Sequence, residues 1–564
     1  MKKLFQPLAA LLLLACSANP EKHASYDVVP LPNDVHLTSE PPFRLNVHTP
    51  IAYPEGNELL ERDANFLSEY IARSIGSSAV QAYSGTNIPP HAIVLSLNPA
   101  VTHPEGYLLT VTPDRVLIEG QTPNGIFYGI QTLRKSLPAV ATNDDVLLPG
   151  VTIKDEPRFG HRGMMLDVCR HIFPLSFVKQ YIDLLALHNM NAFHWHITDD
   201  QGWRIEIKKY PRLTEVGSMR KRTVIGKNTG VYDNTPYGGF YTQEEAKEIV
   251  RYAAERYITV IPEVDMPGHM LAAMTAYPEL GCTGGPYEVA STWGVFDDVL
   301  CIGNPQTMQF LKDVMDEITE IFPSKLIHIG GDEAPRTRWK VCPKCQAFIK
   351  SHGLKADKNH SAEDRLQSYC MSTMEQYLAT KGRRIIGWDE ILEGDIAPDA
   401  TVMSWRGMTG GIEAAELGHD VIMAPTDYCY FDYYQSLDIK NEPFGIGGYV
   451  PLEKVYSLEP VPASLPADKR HHILGTQANL WTEYIATPEH AEYMVLPRMA
   501  ALSEVQWTQP DKKEYKAFAK RLMRLMEFCR RDSLNYSKQI YSTLVKLQSD
   551  AEHQSVRVTL SNVD

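Results

Sequence analysis

Between residues 156 and 508, short apolar segments alternate with longer amphipathic stretches, and this alternation constrains the fold more than any other feature of the chain. The apolar segments are nearly continuous, as expected for parallel strands that are covered on both faces. The stretch before the fourth segment has a helical period, because Leu311, Val314 and Ile318 fall on one face. We count eight predicted strands, at residues 163–168, 192–197, 259–264, 326–329, 384–387, 401–404, 420–423 and 473–478. Eight strand–helix units predict an α/β fold of the closed (β/α)8 type, a TIM barrel, and the count favours it over an open doubly wound sheet.

The segments that flank the barrel have a different pattern. Residues 26–155 mix short strands with helical stretches, including two strands paired around Thr112-Pro113-Asp114 and a helix over residues 122–137. This pattern predicts a small N-terminal α/β domain. Residues 509–564 are predicted to form a C-terminal helix, at about residues 513–530, followed by a polar tail.

The first 25 residues have the pattern of an exported protein. Lys2 and Lys3 precede an apolar stretch that is too short to span a bilayer, so residues 1–15 are predicted to be a signal peptide. The stretch ends in Leu13-Leu14-Ala15-Cys16-Ser17, which resembles a bacterial lipobox. We therefore expect Cys16 to be lipidated and residues 16–25 to be a tether, with an ordinary signal peptide as the alternative. The lipid is the only expected membrane contact, and the expected location is the bacterial cell envelope, on the periplasmic or surface side, with the outer membrane favoured.

Charge and cysteine usage narrow the ligand class. The net charge of −14 argues against nucleic acid as a ligand, because phosphate contacts need clustered Lys and Arg. Cys282 and Cys301 flank a loop and are the favoured pair for a disulfide. Cys342 and Cys345 have the spacing of half a zinc site, but no second Cys-x-x-Cys or paired His motif accompanies them. A local disulfide or two free thiols is the favoured interpretation, and we predict no metal and no cofactor.

Polar and aromatic side chains follow the predicted strands at the points where the strands end. In a barrel of this kind, functional residues collect at those ends. A carboxylate pair, Asp332-Glu333, follows the fourth strand, and loops containing Trp388, Trp405 and Trp481 follow the fifth, sixth and eighth. Aromatic faces stack on the C–H face of a sugar ring, while carboxylates and Arg bind its hydroxyls. The collection therefore predicts a carbohydrate pocket.

Several longer motifs make this interpretation more specific. The most specific is His328-Ile-Gly-Gly-Asp332-Glu333, and the others are Arg162-Gly-Met-Met-Leu-Asp167, His196-Ile-Thr-Asp199-Asp200-Gln-Gly-Trp203, Pro262-Glu-Val-Asp-Met-Pro-Gly-His269, Gly387-Trp388-Asp-Glu and Leu480-Trp481-Thr-Glu483. With these motifs the chain resembles the family 20 glycoside hydrolases, the β-N-acetylhexosaminidases. The resemblance extends over about residues 26–507 and includes a small domain that precedes the barrel in many members.

The resemblance implies an exo-acting β-N-acetylhexosaminidase that removes terminal non-reducing β-linked GlcNAc or GalNAc from oligosaccharides or glycoconjugates. In this family the substrate's own acetamido group assists the retaining hydrolysis. Carried onto this sequence, Glu333 is the general acid and base and needs a raised pKa, Asp332 holds the acetamido N–H, and Tyr430 orients the acetamido oxygen. The implied substrate-binding residues are Arg162, Asp199, His269, Trp388, Trp405, Asp432, Trp481 and Glu483. The three Trp wall the pocket, Arg162, Asp432 and Glu483 bind sugar hydroxyls, and Asp199 and His269 support Glu333.

Three alternatives stay open at this point. A barrel metal-dependent hydrolase is suggested by His194-Trp-His196 with His269, His328 and Asp332, but it leaves Glu333 and the Trp loops without roles. A surface lipoprotein that binds glycans without cleaving them has no need for an acid. A glycosidase with two separated carboxylates would hydrolyse unsubstituted glucosides as readily as N-acetyl sugars.

Overall fold

The computed structural model describes residues 23–77, 82–85, 87–541, 544–550 and 555–561. The predicted signal peptide, Cys16 and most of the predicted tether lie outside the described residues. Within the described ranges, no helix is both long enough and apolar enough to cross a membrane.

The N-terminal domain is a seven-stranded mixed sheet covered by two helices that contact each other. In spatial order its strands are Asp34–Leu37, Val151–Asp155, Tyr107–Thr112, Arg115–Gly120, Ile93–Leu97, Ile51–Tyr53 and Ala82–Ser84. The helices are Glu58–Ile75 and Pro123–Ser136, and Phe43–Leu45 pairs separately with Val146–Leu148. The second helix begins after Thr122, whose side chain accepts a hydrogen bond from the Gly125 N–H.

The barrel prediction is confirmed. Eight parallel strands close on themselves, and each falls on a predicted segment: His161–Asp167, Ala192–His196, Thr259–Glu263, Leu326–His328, Arg384–Trp388, Thr401–Ser404, Val421–Met423 and Ile473–Leu480. The first and last strands pair with Met164 opposite Ala478, which closes the ring. The strands are buried along almost their whole length, so their apolar runs read as continuous.

Helices follow most of the strands. The helices that follow the first four strands and the sixth to eighth strands are Leu175–Leu187, Gln243–Ala254, Pro305–Ile321, Ala362–Ala379, Thr409–Leu417, Leu452–Tyr456, Pro488–Val495 and Arg498–Trp507. The fifth strand is followed only by the 3₁₀ turn Asp389–Leu392. The loops carry further helices, at Arg212–Glu215, Leu271–Ala276, Thr337–Val341, Pro343–Ser351 and Thr426–Cys429. They also carry 3₁₀ turns, at Pro278–Leu280, Ile439–Asn441, Ala467–His472, Pro510–Lys512 and Lys538–Tyr541. Two short strand pairs are formed by Thr198–Asp199 with Gly202–Trp203 and by Met219–Arg220 with Tyr237–Gly238.

Two sequence expectations differ from the structure. The predicted polar tail contains an antiparallel hairpin, Leu544–Asp550 paired with Ser555–Ser561, after the helix Tyr515–Arg531. Its second strand alternates Val, Val and Leu with polar residues, which is the period of a strand. The expected Cys282–Cys301 disulfide is absent, because all eight cysteines in the described part of the chain are free.

Candidate active site

A cavity of about 370 Å³ opens where the barrel strands end and their loops begin. Its lining brings together residues from the ends of the strands or the loops that follow them, for all eight strands of the barrel. They are Arg170, Asn228, His269, Trp293, Gly294, Val295, Asp332, Glu333, Trp388, Trp405, Tyr430, Asp432, Tyr433, Ile446, Trp481, Glu483 and Tyr484. Nine of the eleven catalytic and binding residues predicted from the sequence are in this set. The other two, Asp199 and Arg162, are described below.

A turn with two glycines positions the carboxylate pair Asp332-Glu333 in the cavity lining. After the fourth strand, Gly330 and Gly331 have φ values of 66° and 100°, which disfavour residues with a side chain. A Cβ atom at Gly330 would overlap the Asp265 carboxylate, so only glycine fits there. Glu333 itself has φ of 44°, a sparsely populated conformation for a non-glycine residue. The turn therefore fixes where both acidic side chains lie.

The two adjacent carboxylates have different surroundings. Asp332 is buried, and no hydrogen bond from the described residues reaches its Oδ1. Burial raises the pKa of Asp332. The Glu333 side chain is 40% exposed, and its Oε2 lies 3.5 Å from His269 Nε2.

The interaction with His269 lowers the pKa of Glu333. The expected raised pKa of Glu333 is therefore wrong for this structure. A carboxylate that is open to water and faces a cationic ring is stabilised as the anion.

His269 is held from its far side by two carboxylates. Its Nδ1 lies 2.9 Å from Asp200 Oδ2 and 3.2 Å from Asp199 Oδ1. Although burial opposes a charge on the ring, the carboxylates raise the pKa of His269 well above its usual value. The structure thus places Asp199 behind His269 and outside the cavity lining. Asp199 contacts His269, and His269 in turn contacts Glu333. His269 holds a proton next to Glu333.

Aromatic side chains form one wall of the cavity. The Trp388 and Trp481 rings lie 5.9 Å apart, and Trp405 stacks on Tyr430 with centroids 6.0 Å apart. The indole N–H groups are fixed from behind, because Trp388 donates to Glu263 (2.8 Å) and Trp405 donates to Glu390 (2.9 Å). The ring faces are therefore held in place before any ligand binds.

Another part of the cavity lining is polar. Asp432 is buried, its Oδ1 receives no hydrogen bond from the described residues, and burial together with the charge of Glu483 raises its pKa. Arg170 lies nearby with its Nη2 2.9 Å from Asp199, and its guanidinium stacks over Trp481 at 5.0 Å. Buried carboxylate oxygens without a protein donor are suited to a ligand that brings N–H or O–H groups.

Arg162 does not reach this cavity, so its predicted role in binding sugar hydroxyls is wrong. It belongs to the start of the first barrel strand, at the opposite end from the cavity. Its guanidinium is buried against the N-terminal domain, where it pairs with Glu105 at 2.8 Å and donates to the Tyr128 hydroxyl at 2.8 Å. The arginine in the cavity lining is Arg170, which follows the end of the same strand. Its place after the strand was visible in the sequence, since loops at strand ends carry the function.

Three of the four histidines that suggested a metal-dependent hydrolase, His194, His196 and His328, surround a buried carboxylate, Glu263. His196 contacts Glu263 through Nδ1 and Asp199 through Nε2, the latter at 2.7 Å. His194 Nε2 and His328 Nδ1 lie 2.9 and 3.1 Å from the Glu263 oxygens. This cluster lies behind Trp388, which also donates to Glu263, and it supports the cavity wall.

Two family models match the chain. The description "Glycosyl hydrolase family 20, catalytic domain" matches residues 159–510, and "Glycosyl hydrolase family 20, domain 2" matches residues 25–156. The chain belongs to glycosyl hydrolase family 20.

Individual relatives of this family 20 chain agree with the assignment. A β-hexosaminidase of Porphyromonas gingivalis is 46% identical over 526 residues, which span 91% of this chain and 65% of the relative. A β-hexosaminidase of Vibrio furnissii is 40% identical over 73% of this chain and 66% of its own length. The chain thus spans about two thirds of the length of these two relatives. Among solved structures, a mutant Streptomyces plicatus β-hexosaminidase in complex with product (GlcNAc) is 30% identical, with a TM-score of 0.78 over 91% of this chain and 96% of that one.

Proposed function

We propose that this family 20 protein is an exo-acting β-N-acetylhexosaminidase that hydrolyses with retention and with assistance from the substrate. The observation that carries the proposal is the adjacent pair Asp332-Glu333 in a Trp-walled cavity. Asp332 is buried, and its Oδ1 receives no hydrogen bond from the described residues, whereas Glu333 is exposed beside a cationic His269. The names of the relatives support it. The expected substrates are oligosaccharides or glycoconjugates with a terminal N-acetylhexosamine.

Asp332 and Tyr430 act on the acetamido group. In the proposed step the acetamido oxygen attacks the anomeric carbon, and the bond to the leaving oxygen breaks. Asp332 accepts a hydrogen bond from the acetamido N–H at Oδ1, to which no described residue donates, and stabilises the positive charge that develops on nitrogen. Burial raises the pKa of Tyr430 well above its usual value, so its hydroxyl keeps its proton and donates to the acetamido oxygen.

Glu333 and His269 supply the proton that the leaving oxygen needs and later remove one from water. The pair holds one proton between Glu333 Oε2 and His269 Nε2, which passes to the leaving oxygen as the glycosidic bond breaks. A sugar in the cavity excludes water from Glu333, which disfavours its anion and moves the shared proton toward its carboxylate. Glu333 then takes a proton from the water that opens the cyclic intermediate and restores the acetamido group.

The polar part of the cavity lining supports exo action. Arg170, Asp432 and Glu483 line the cavity and are placed to bind hydroxyls of the terminal sugar. On its other side, Glu333 also lines a second cavity of about 460 Å³ with Arg336, Glu390 and Arg406. Glu333 thus lies at the boundary between the sugar that is released and a space for the group that leaves.

Activity on aryl β-N-acetylglucosaminides and galactosaminides tests the proposal. We expect release from both N-acetyl sugars, little release from the aryl β-glucoside, and progressively slower hydrolysis as the acetyl group is replaced by mono-, di- and trifluoroacetyl. Fluorine withdraws electrons from the attacking oxygen, so this trend reports assistance by the substrate. Equal rates on glucoside and N-acetylglucosaminide would instead support two separated carboxylates.

Asp332→Asn gives a second test. This variant should lose about 10² to 10³ in kcat, as expected for one interaction with developing charge. Added azide should not yield a glycosyl azide of inverted configuration, because no enzyme nucleophile has been removed. Binding without any sugar release by the wild type would leave the glycan-binding lipoprotein as the better description.

We also propose that the protein is exported and held in the cell envelope by a lipid on Cys16. The support is the lipobox-like sequence Leu13-Leu14-Ala15-Cys16-Ser17. Metabolic labelling with a fatty acid should label the wild type and not Cys16→Ser, and membrane fractionation should release the variant. Unlabelled wild type that fractionates as a free protein would favour an ordinary signal peptide.

A further inference from the structure

Four cysteines that are distant in sequence meet at one point of the structure. Cys282 Sγ lies 3.8 Å from Cys345 Sγ, and Cys301 Sγ lies 3.7 Å from both Cys342 Sγ and Cys345 Sγ. All four sulfur atoms lie within 4.8 Å of one another. Cys301, Cys342 and Cys345 are buried, and Cys282 is partly buried.

These distances have the dimensions of a metal site. A disulfide needs sulfur atoms about 2.05 Å apart. Four thiolates at about 2.3 Å from a tetrahedral zinc ion are separated from one another by about 3.8 Å. We propose that Cys282, Cys301, Cys342 and Cys345 bind a structural zinc ion. Four soft thiolates with no position left for water are the donor set of a structural site and not of a catalytic one.

The fold builds the cluster from two separate loops. Cys282 and Cys301 lie on adjacent backbone segments, because Gly281 bridges to Leu300 and the Cys301 N–H donates to the Leu280 carbonyl at 2.8 Å. Cys342 precedes the helix Pro343–Ser351, and Cys345 lies in its first turn. The Cys-x-x-Cys spacing thus places both sulfurs at the start of one helix.

Gly303 brings the two loops close enough for four ligands to meet. A Cβ atom at Gly303 would overlap the backbone of Lys344 and the Cys345 nitrogen, so only glycine permits this approach. The loop that carries Cys301 therefore lies directly against the start of the helix that carries Cys345.

The position of the cluster suggests what the ion does. The loop with Cys282 and Cys301 also carries Trp293 and Val295, which line the cavity, while Cys342 and Cys345 follow Glu333 along the chain. None of the four cysteines lines that cavity. The ion therefore joins two loops on either side of Glu333 without touching substrate, and its effect is on stability.

Elemental analysis of the purified full-length protein tests the proposal. We expect one zinc ion per chain that survives gel filtration, and loss of that zinc in Cys345→Ser. The matched control is Cys370→Ala, which removes a buried thiol from the helix Ala362–Ala379, away from the cluster, and should keep its zinc. Zinc-free wild type, or zinc retained in Cys345→Ser, would overturn the assignment.

Three measurements on the wild type do not depend on whether the variant folds. Growth with cobalt in place of zinc should give the intense visible absorption of tetrahedral cobalt with thiolate charge-transfer bands. The four thiols should resist alkylation until a strong chelator is added, and the chelator should lower Tm. Peptide mapping that finds a disulfide among these four cysteines would contradict the proposal, whatever the outcome of the hexosaminidase assay.

Discussion

His269 and Glu333 face each other in the lining of the cavity, with His269 Nε2 3.5 Å from Glu333 Oε2 and with left-handed φ values of 51° and 44°. Two non-glycine residues in this conformation are costly, by about 1–3 kcal/mol each, and persist only where the surrounding structure imposes them. Here Asp199 and Asp200 bind the far side of the His269 ring, and the glycine turn positions Glu333. The fold thus maintains one proton-sharing pair at the cost of two unfavourable backbone conformations.

Removal of His269 should change the pH dependence of the reaction. In the wild type the pair loses its proton only as pH rises through the raised pKa of His269, so the alkaline limb of kcat/KM lies above neutrality. In His269→Asn the proton must come from Glu333 alone, whose ordinary pKa is about 4.3. The alkaline limb should therefore move to lower pH, and the rate at neutral pH should fall. A pH–rate profile of both proteins checks this, and an unmoved limb would show that His269 does not share the proton.

Glu333→Gln should abolish acid catalysis while leaving the fold intact. We expect a loss of about 10² to 10⁴ in kcat/KM on natural linkages. The loss should be smaller for aryl substrates with acidic leaving groups, which need less protonation. Glu416→Gln, an exposed residue of the helix Thr409–Leu417, is the matched control and should keep wild-type rates. An equal loss for both kinds of leaving group would argue against Glu333 as the acid.

Substitution of the two arginines near the ends of the first barrel strand should have different effects, on stability for Arg162 and on substrate binding for Arg170. Arg162→Met leaves Glu105 without its buried partner and should destabilise the protein by about 3–5 kcal/mol, with little change in the KM of the folded enzyme. Arg170→Met removes a cation from the cavity and should raise KM by tenfold or more. Thermal melts and steady-state kinetics on both variants separate the two roles. A large rise in KM for Arg162→Met alone would reverse our assignment.

Asp63 predicts a pH dependence of stability in the N-terminal domain. It is buried under Tyr257, whose hydroxyl donates to it at 2.7 Å, and burial raises its pKa to about 7. The folded state therefore holds a proton that the unfolded state has lost between pH about 4 and 7. This contribution is fully present below pH 4 and is lost as pH rises through 7, a change of about 4 kcal/mol.

Asp63→Asn should remove that slope. Relative to the wild type, its Tm should increase between pH 4 and pH 8, because Asn stays neutral and can still accept from Tyr257. Glu69→Gln, an exposed residue of the same helix Glu58–Ile75, is the control and should run parallel to the wild type. Parallel curves for Asp63→Asn as well would mean that Asp63 is ionised throughout.

The sequence by itself determined the barrel and most of the cavity. Parallel strands buried on both faces must be apolar throughout, so the eight runs could be counted directly, and residues that follow strands converge at one end of a barrel. By the same rule Arg170, which follows the first strand, is predicted to lie at the cavity. Arg162 belongs to a family motif but lies at the start of that strand, so the rule does not place it there.

Only the tertiary structure decided the remaining features. The pKa of Glu333 depends on the distance to His269 and on exposure to water, and neither can be read from residue order. The meeting of Cys282 with Cys345 joins positions 63 residues apart through a close approach at Gly303. Sequence spacing reports local geometry along a helix or strand, whereas contacts between loops depend on how whole elements pack.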